Sequence, residues 1–150
     1  FIQPTQEMRE LMVQLKLSPI REELEGKSIA VVDDSIVRGT TSRRLIKRLR
    51  EQGAKEVHFL VCSPPVKWPC YYGIDTADRD KLIAANKSVE EICEYLGADS
   101  LHYLSLEGLL NAVKNNCFYC TACFSGDYPM GVPDVDSVGK DSLERSKRNN

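Results

Sequence analysis

Ile29-Ala30-Val31-Val32-Asp33-Asp34-Ser35-Ile36-Val37-Arg38-Gly39-Thr40-Thr41-Ser42 is a short apolar run that ends in two carboxylates and passes through a Gly/Thr turn into a helical pattern. The run is β-branched and too short for a helix, so it reads as a strand buried on both faces of a parallel sheet. Beyond Gly39, Leu45, Ile46 and Leu49 recur at helical spacing, and Thr40, Thr41 and Ser42 are the candidate N-caps. The turn therefore offers backbone N–H groups and hydroxyls to an anion at the positive end of a helix dipole. Two adjacent acids beside such a cradle suit a ligand with both a phosphate and vicinal hydroxyls, or one that arrives with a divalent cation. Taken alone, Asp33 and Asp34 also fit a capping turn at a strand end.

The remaining composition bounds the class. With 150 residues, 42% of them hydrophobic, the chain can bury one core and supports one domain. A net charge of −2 gives no broad basic footprint for nucleic acid. Arg43, Arg44, Lys47, Arg48 and Arg50 cluster, but they interleave with the apolar face of one helix and read as its solvated outer face. No apolar stretch reaches the ~20 residues of a membrane span, and no leader pattern opens the chain, so a cytoplasmic protein is expected. Phe1 opens the chain and the first methionine is Met8, which suggests the C-terminal piece of a longer protein.

Periodicity along the chain gives an α/β layer. Gln6 to Leu15 has helical apolar spacing, and Glu25-Gly26-Lys27 turns into the first strand. The helix after Gly39 ends near Gln52-Gly53, and Val57 to Cys62 forms a second strand stopped by Ser63-Pro64-Pro65. A helix joining two such strands is a crossover unit with parallel strands and ligands at their C-terminal edge. Asp78 to Ala85 and Ser88 to Leu96 read as short helices, the second with Ser88 and Glu91 spaced as a capping box. Leu101 to Leu104 is a strand, and Leu106 to Val113 a helix with Leu106, Leu109, Leu110 and Val113 inward. Residues 125–150, rich in Gly, Pro, Asp, Ser and Lys, read as a polar, loosely ordered tail.

The six cysteines are the second chemical signal. Cys117, Cys120 and Cys123 form overlapping CxxC units, a spacing that converges thiolates on one metal centre, with Cys70 a distant companion. A four-cysteine zinc site and an iron–sulfur centre both fit that spacing, whereas disulfides suit a cytoplasmic chain poorly. Cys62 and Cys93 read as small buried residues. His58 and His102 lie in strands without metal-ligand spacing and read as structural.

The Val32 to Ser42 wording resembles the phosphoribosylpyrophosphate (PRPP) motif of type I phosphoribosyltransferases, and within them the glutamine PRPP amidotransferases that open purine biosynthesis. The resemblance continues through Phe1-Ile2-Gln3-Pro4, Gly53 to Val57, Ser63-Pro64-Pro65, Pro69 to Asp75, Leu82-Ile83-Ala84, Gly97-Ala98-Asp99 and Cys120-Thr121-Ala122-Cys123-Phe124, covering roughly residues 1 to 130. It implies a type I phosphoribosyltransferase fold, incomplete here, with residues 1–124 forming the C-terminal part of that domain and a glutaminase domain lying upstream of this chain. It implies that Asp33 and Asp34 bind the ribose hydroxyls or share Mg2+, and that Ser35, Arg38, Gly39, Thr40, Thr41 and Ser42 hold the 5-phosphate. The reaction implied joins glutamine-derived ammonia to PRPP and needs no side-chain nucleophile from this chain. One branch of the family carries a 4Fe-4S cluster, and residue by residue its ligands fall on Cys70, Cys120 and Cys123, with a fourth upstream and Cys117 surplus. Purine nucleotide feedback inhibitors and a homo-oligomer complete what the resemblance implies.

Three alternatives share parts of this pattern. A salvage phosphoribosyltransferase has the loop without the cysteine set. A PRPP-sensing regulator of the same fold pairs the loop with a basic nucleic-acid surface, and a zinc or redox binding module uses the cysteines but leaves the acids idle.

Overall fold

The structure, a computed structural model, describes residues 20–74, 76, 78–113 and 118–132. The expected Gln6 to Leu15 helix, Cys117 and the chain beyond Val132 lie outside the described residues. A short helix α1 (Arg21–Leu24) precedes strand β1 (Ser28–Asp33), helix α2 (Thr40–Glu51) and strand β2 (Glu56–Val61). A 3-10 turn (Arg79–Lys81), α3 (Ile83–Asn86), α4 (Val89–Leu96), β3 (Ser100–Tyr103), α5 (Leu106–Ala112) and α6 (Ala122–Ser125) follow. The three strands form a parallel sheet in the order β1-β2-β3, with Ser28 facing Glu56, Asp33 facing Val61 and Val61 facing Tyr103. All three C-terminal ends therefore lie on one edge, where α/β sheets bind ligands.

The core lies on one face of the sheet. Val57, Phe59 and Val61 of β2 and Leu101 of β3 meet Ile46 and Leu49 of α2, Ile83 and Ala84 of α3, and Ile92 and Leu96 of α4. Phe59, Val57, Ile46 and Ile92 are essentially sealed from solvent, and burying each such side chain is worth about 1.5–3 kcal/mol. The opposite face is bare among the described residues: Val32 is 64% exposed, and Ala30 and His102 are exposed with it. This corrects the expectation that β1 is buried on both faces. The strand alternates exposed and half-buried residues, because α2 and α4 pack on one side only. On the bare face His58 bridges the strands, its Nε2 3.1 Å from Ser28 Oγ and its Nδ1 2.9 Å from Ser100 Oγ, the structural role expected of it.

The capping box of α4 forms as its sequence requires, the Ser88 hydroxyl accepting from Glu91 N and the Glu91 carboxylate accepting from Ser88 N. Other expectations shift. The Asp78 to Ala85 helix splits at Leu82, which is buried and has extended backbone (φ −80°, ψ 114°). Leu106, Leu109, Leu110 and Val113 are only half-buried, since the described elements give α5 too little to pack against. Cys62, one residue beyond β2, still donates its N–H to Asp33 O at 2.9 Å but is exposed, because it falls on the bare face with His58 and Leu60.

Arg50 also departs from the solvated face assigned to it. Its guanidinium donates to Lys55 O at 2.7 Å and to Asp99 Oδ2 at 2.6 Å, and Asp99 Oδ2 also accepts from Val57 N at 2.6 Å. The end of α2 is thus clamped to the starts of β2 and β3. The Val57 N–H first, and then the Arg50 guanidinium, hold the Asp99 carboxyl below the usual carboxylate range. A lowered folded pKa stabilises above the unfolded value near 3.9 and ceases to do so as pH falls through the folded one. We expect Asp99→Asn to cost roughly 1 kcal/mol, after allowance for partial exposure, in thermal unfolding of the full-length protein. The gap from wild type should narrow in acid.

Candidate phosphate loop and cysteine centre

The loop after β1 is built by its own carboxylates and by one buried side chain. Asp33 Oδ1 accepts from Asp34 N at 3.0 Å, and Asp34 Oδ1 accepts from the Ser35 hydroxyl at 3.0 Å. Ile36 drops into the core, 1% exposed, and Val37 O accepts from Ile83 N at 2.9 Å, so α3 braces the loop from below. Asp33 is left half-buried, with Asp34, Arg38, Thr40 and Thr41 exposed around it. Ser42 is buried in the first turn of α2. All the residues expected at the phosphate loop therefore lie within one turn of chain at the C-terminal end of β1.

The N-cap differs from expectation. It is Gly39, at φ 75°, so among the described residues the helix has no side-chain cap. Thr40, Thr41 and Ser42 are already inside α2, so the N–H groups of its first turn have no side-chain cap to satisfy them. That is the arrangement that receives an anion. Arg48 and Arg50, in the last turn, complement the negative end of the dipole. Gly39 is required for two reasons: its positive φ, and the 2.9 Å and 3.2 Å that would separate a Cβ from Ile83 Cδ1 and Tyr95 Cε1. The close approach demanded at Gly39 is thus to its own core.

Two hydroxyls at the same sheet edge escaped the sequence reading. Ser63 Oγ, just past β2, and Tyr103 Oη, at the end of β3, are buried without a hydrogen-bond partner among the described residues. Burial pushes the Tyr103 phenol up to about 12, so it remains a donor at neutral pH. Each orphan costs about 1–3 kcal/mol. No local pattern signals such residues, because their isolation depends on packing from distant elements.

The cysteines gather at a second place. Cys123 lies in α6, and its carbonyl accepts from Lys67 N at 3.0 Å and Trp68 N at 3.1 Å, which seats α6 beside the Cys70 loop. Cys70 N donates to Thr76 Oγ1 at 3.0 Å. Burial first, then the nearby Cys70 and, less, Cys120, push the Cys123 thiol up. Among the described residues no three His, Cys, Asp or Glu side chains are drawn together as a finished metal-holding group. The thiols of Cys70, Cys120 and Cys123 have the donor chemistry of an iron–sulfur or zinc centre, but among the described residues they do not close into one. The hard oxygens of Asp33 and Asp34 suit Mg2+ shared with a phosphate ligand. Cys93, half-buried, donates its thiol to Ala98 O at 3.3 Å, the small structural residue expected.

No protein-family model matches the sequence. Curated relatives do. The chain is 54% identical over 145 residues to an amidophosphoribosyltransferase of Synechococcus elongatus, covering 96% of this chain and 29% of that protein. It is 54% identical over 137 residues to the Bacillus subtilis amidophosphoribosyltransferase, covering 88% and 29%. A solved structure of the glutamine PRPP amidotransferase from B. subtilis, complexed with ADP and GMP, superposes with a TM-score of 0.70 at 54% identity over 86% of this chain and 30% of that one. The chain thus spans about three-tenths of the length of the relatives it matches. In none of the described residues is a helix long and apolar enough to cross a membrane. Over the segment it spans, carrying loop and cysteines together, this chain belongs to the amidophosphoribosyltransferases.

Proposed function

We propose that the full-length protein joins glutamine-derived ammonia to C1 of PRPP, giving 5-phosphoribosylamine, pyrophosphate and glutamate, and that this chain supplies part of the PRPP site. The observation that carries the reading is β1 ending in Asp33-Asp34 and turning through Gly39 into an uncapped helix N-terminus. Ammonia attacks C1 as the bond to pyrophosphate breaks, and the new amine sheds a proton. Positive charge builds on the ribose ring meanwhile, and the carboxylates of Asp33 and Asp34 stabilise it while accepting from the 2- and 3-hydroxyls. Ser35, Arg38 and the first turn of α2 from Gly39 through Thr40, Thr41 and Ser42 hold the 5-phosphate by N–H, hydroxyl and guanidinium donation. Asp33 and Asp34 would hold Mg2+, which would supply charge neutralisation for the departing pyrophosphate. Catalysis here is positioning and electrostatics, with no nucleophile from this chain.

Cys70, Cys120 and Cys123 would hold a 4Fe-4S cluster of structural role, its fourth ligand upstream. Residues 1–124 then belong to the phosphoribosyltransferase domain, a glutaminase domain lies elsewhere in the full protein, and residues 125–150 follow as a tail. The B. subtilis relative was solved with ADP and GMP, which supports purine nucleotides as feedback inhibitors. A cytoplasmic homo-oligomer without nucleic-acid or membrane partners completes the reading. Relatives aligned over 96% of this chain are amidophosphoribosyltransferases, which gives the salvage, regulator and zinc-module alternatives no support.

Gly39→Ala tests the loop. A side chain at φ 75° costs roughly 1–2 kcal/mol, and its Cβ presses on Ile83, so the loop must shift away from the phosphate position. We expect about a tenfold loss of PRPP affinity by calorimetry in the full-length protein, with basal glutamine hydrolysis unchanged. Unaltered affinity would mean that the phosphate binds elsewhere.

A further inference from the structure

Resting on the cluster reading above, we propose that protein contacts alone latch residues 118–132 onto the 67–73 loop, so that Trp68, Gly126 and Tyr128 are positioning residues that hold the cysteine pair against Cys70 before any metal group binds. The contacts run on both sides of the cysteines. Lys67 N and Trp68 N donate to Cys123 O. Gly126 lies so close to the Trp68 indole that a Cβ there would stand 2.7 Å from Cε2 and 2.9 Å from Nε1. Trp68 is itself held by the Arg79 guanidinium, 4.1 Å from its ring centroid. The Tyr128 hydroxyl donates to Pro69 O at 2.7 Å, and its ring lies 5.2 Å from that of Tyr71 and 6.1 Å from that of Tyr72. Tyr72 closes the far end, its hydroxyl donating to Gly131 O at 2.8 Å and accepting from Met130 N at 3.1 Å.

Cys70 is therefore bracketed. Trp68 and Pro69 before it, and Tyr71 and Tyr72 after it, each touch the segment that carries Cys123, and no bond in the set uses a sulfur atom. The entropy of bringing two distant segments together is met by these contacts and not by metal ligation. The polar, Gly- and Pro-containing stretch after Ser125, which composition marks as loosely ordered, is held as far as Gly131 for the same reason. Gly126 is the least replaceable part, since any side chain there meets an aromatic plane fixed by Arg79.

Hydrogen exchange of the full-length enzyme, with its iron removed under reducing conditions, tests the latch. The Lys67, Trp68 and Met130 amides should stay protected in metal-free wild type and exchange at least tenfold faster in metal-free Gly126→Ala. Tyr128→Phe, which keeps the ring and loses only the bond to Pro69, should give a smaller acceleration in the same peptides and covers the case in which Gly126→Ala misfolds. Iron uptake on reconstitution, followed by visible absorbance, should slow at least fivefold in Gly126→Ala, and in Tyr128→Phe by less, at an unchanged global melting temperature. If metal-free wild type exchanges as fast as the variants but still takes up iron, the cluster assembles the segment, and the latch is wrong while the cluster reading stands. Protection without any iron uptake would overturn the cluster reading and leave the latch intact.

Discussion

Asp33→Asn combined with Asp34→Asn, made in the full-length protein, is expected to lower ammonia-dependent phosphoribosylamine formation by roughly a hundredfold or more, the scale seen when an electrostatic partner of a transition state is removed. The two carboxylates stand at the C-terminal end of β1, the edge at which α/β sheets bind ligands. The fold survives. Asn retains the Oδ1 acceptor that receives Asp34 N at position 33 and the Ser35 hydroxyl at position 34, so the loop keeps its internal bonds. Removing two adjacent like charges relieves repulsion and opens no cavity. Thermal unfolding should therefore match wild type while ammonia-dependent turnover collapses, and basal glutamine hydrolysis should persist. Wild-type turnover of PRPP by the double variant would remove these residues from the site.

What could be read from sequence was whatever local chemistry decides. The β-branched run at Ile29 to Val32, the capping box of Ser88 and Glu91, and the alternation from Val57 each encode an element without help from the rest of the chain, and each forms. The loop was legible for the same reason: acids, glycine and helix start are contiguous. Properties set by distant partners were not. Arg50 looks solvated on its helix, yet Asp99, which clamps it, is supplied by the segment before β3. Val32 looks buried, yet the described elements that pack on this sheet choose the other face. Gly126 looks like tail composition, and only its contact with Trp68 shows why a glycine is needed. Thr40 and Thr41 have capping chemistry, but the positive φ at Gly39 starts the helix one residue earlier than a hydroxyl cap would.

The other large effect expected is at the cysteines, where the two CxxC units give competing ligand choices. Cys120 and Cys123 belong to the segment held against the Cys70 loop, and the Cys123 thiol feels the charges of both Cys70 and Cys120. Cys117 lies outside the described residues, and the resemblance to the clustered branch leaves it surplus. Cys120→Ser replaces a soft thiolate by a weakly ligating hydroxyl, and losing one strong ligand lowers metal affinity by about tenfold or more. Metal binding is coupled to folding, so the variant should also lose stability and become protease-sensitive in the full-length protein. No redox step enters the proposed reaction, so activity should fall with the folded fraction and not beyond it. Cys117→Ser, by contrast, should keep its iron, its visible absorbance and near-normal turnover. Iron analysis of the two purified variants decides the ligand set: equal iron in both would show that Cys120 is not an indispensable ligand, and loss confined to Cys117→Ser would move the ligand from Cys120 to Cys117.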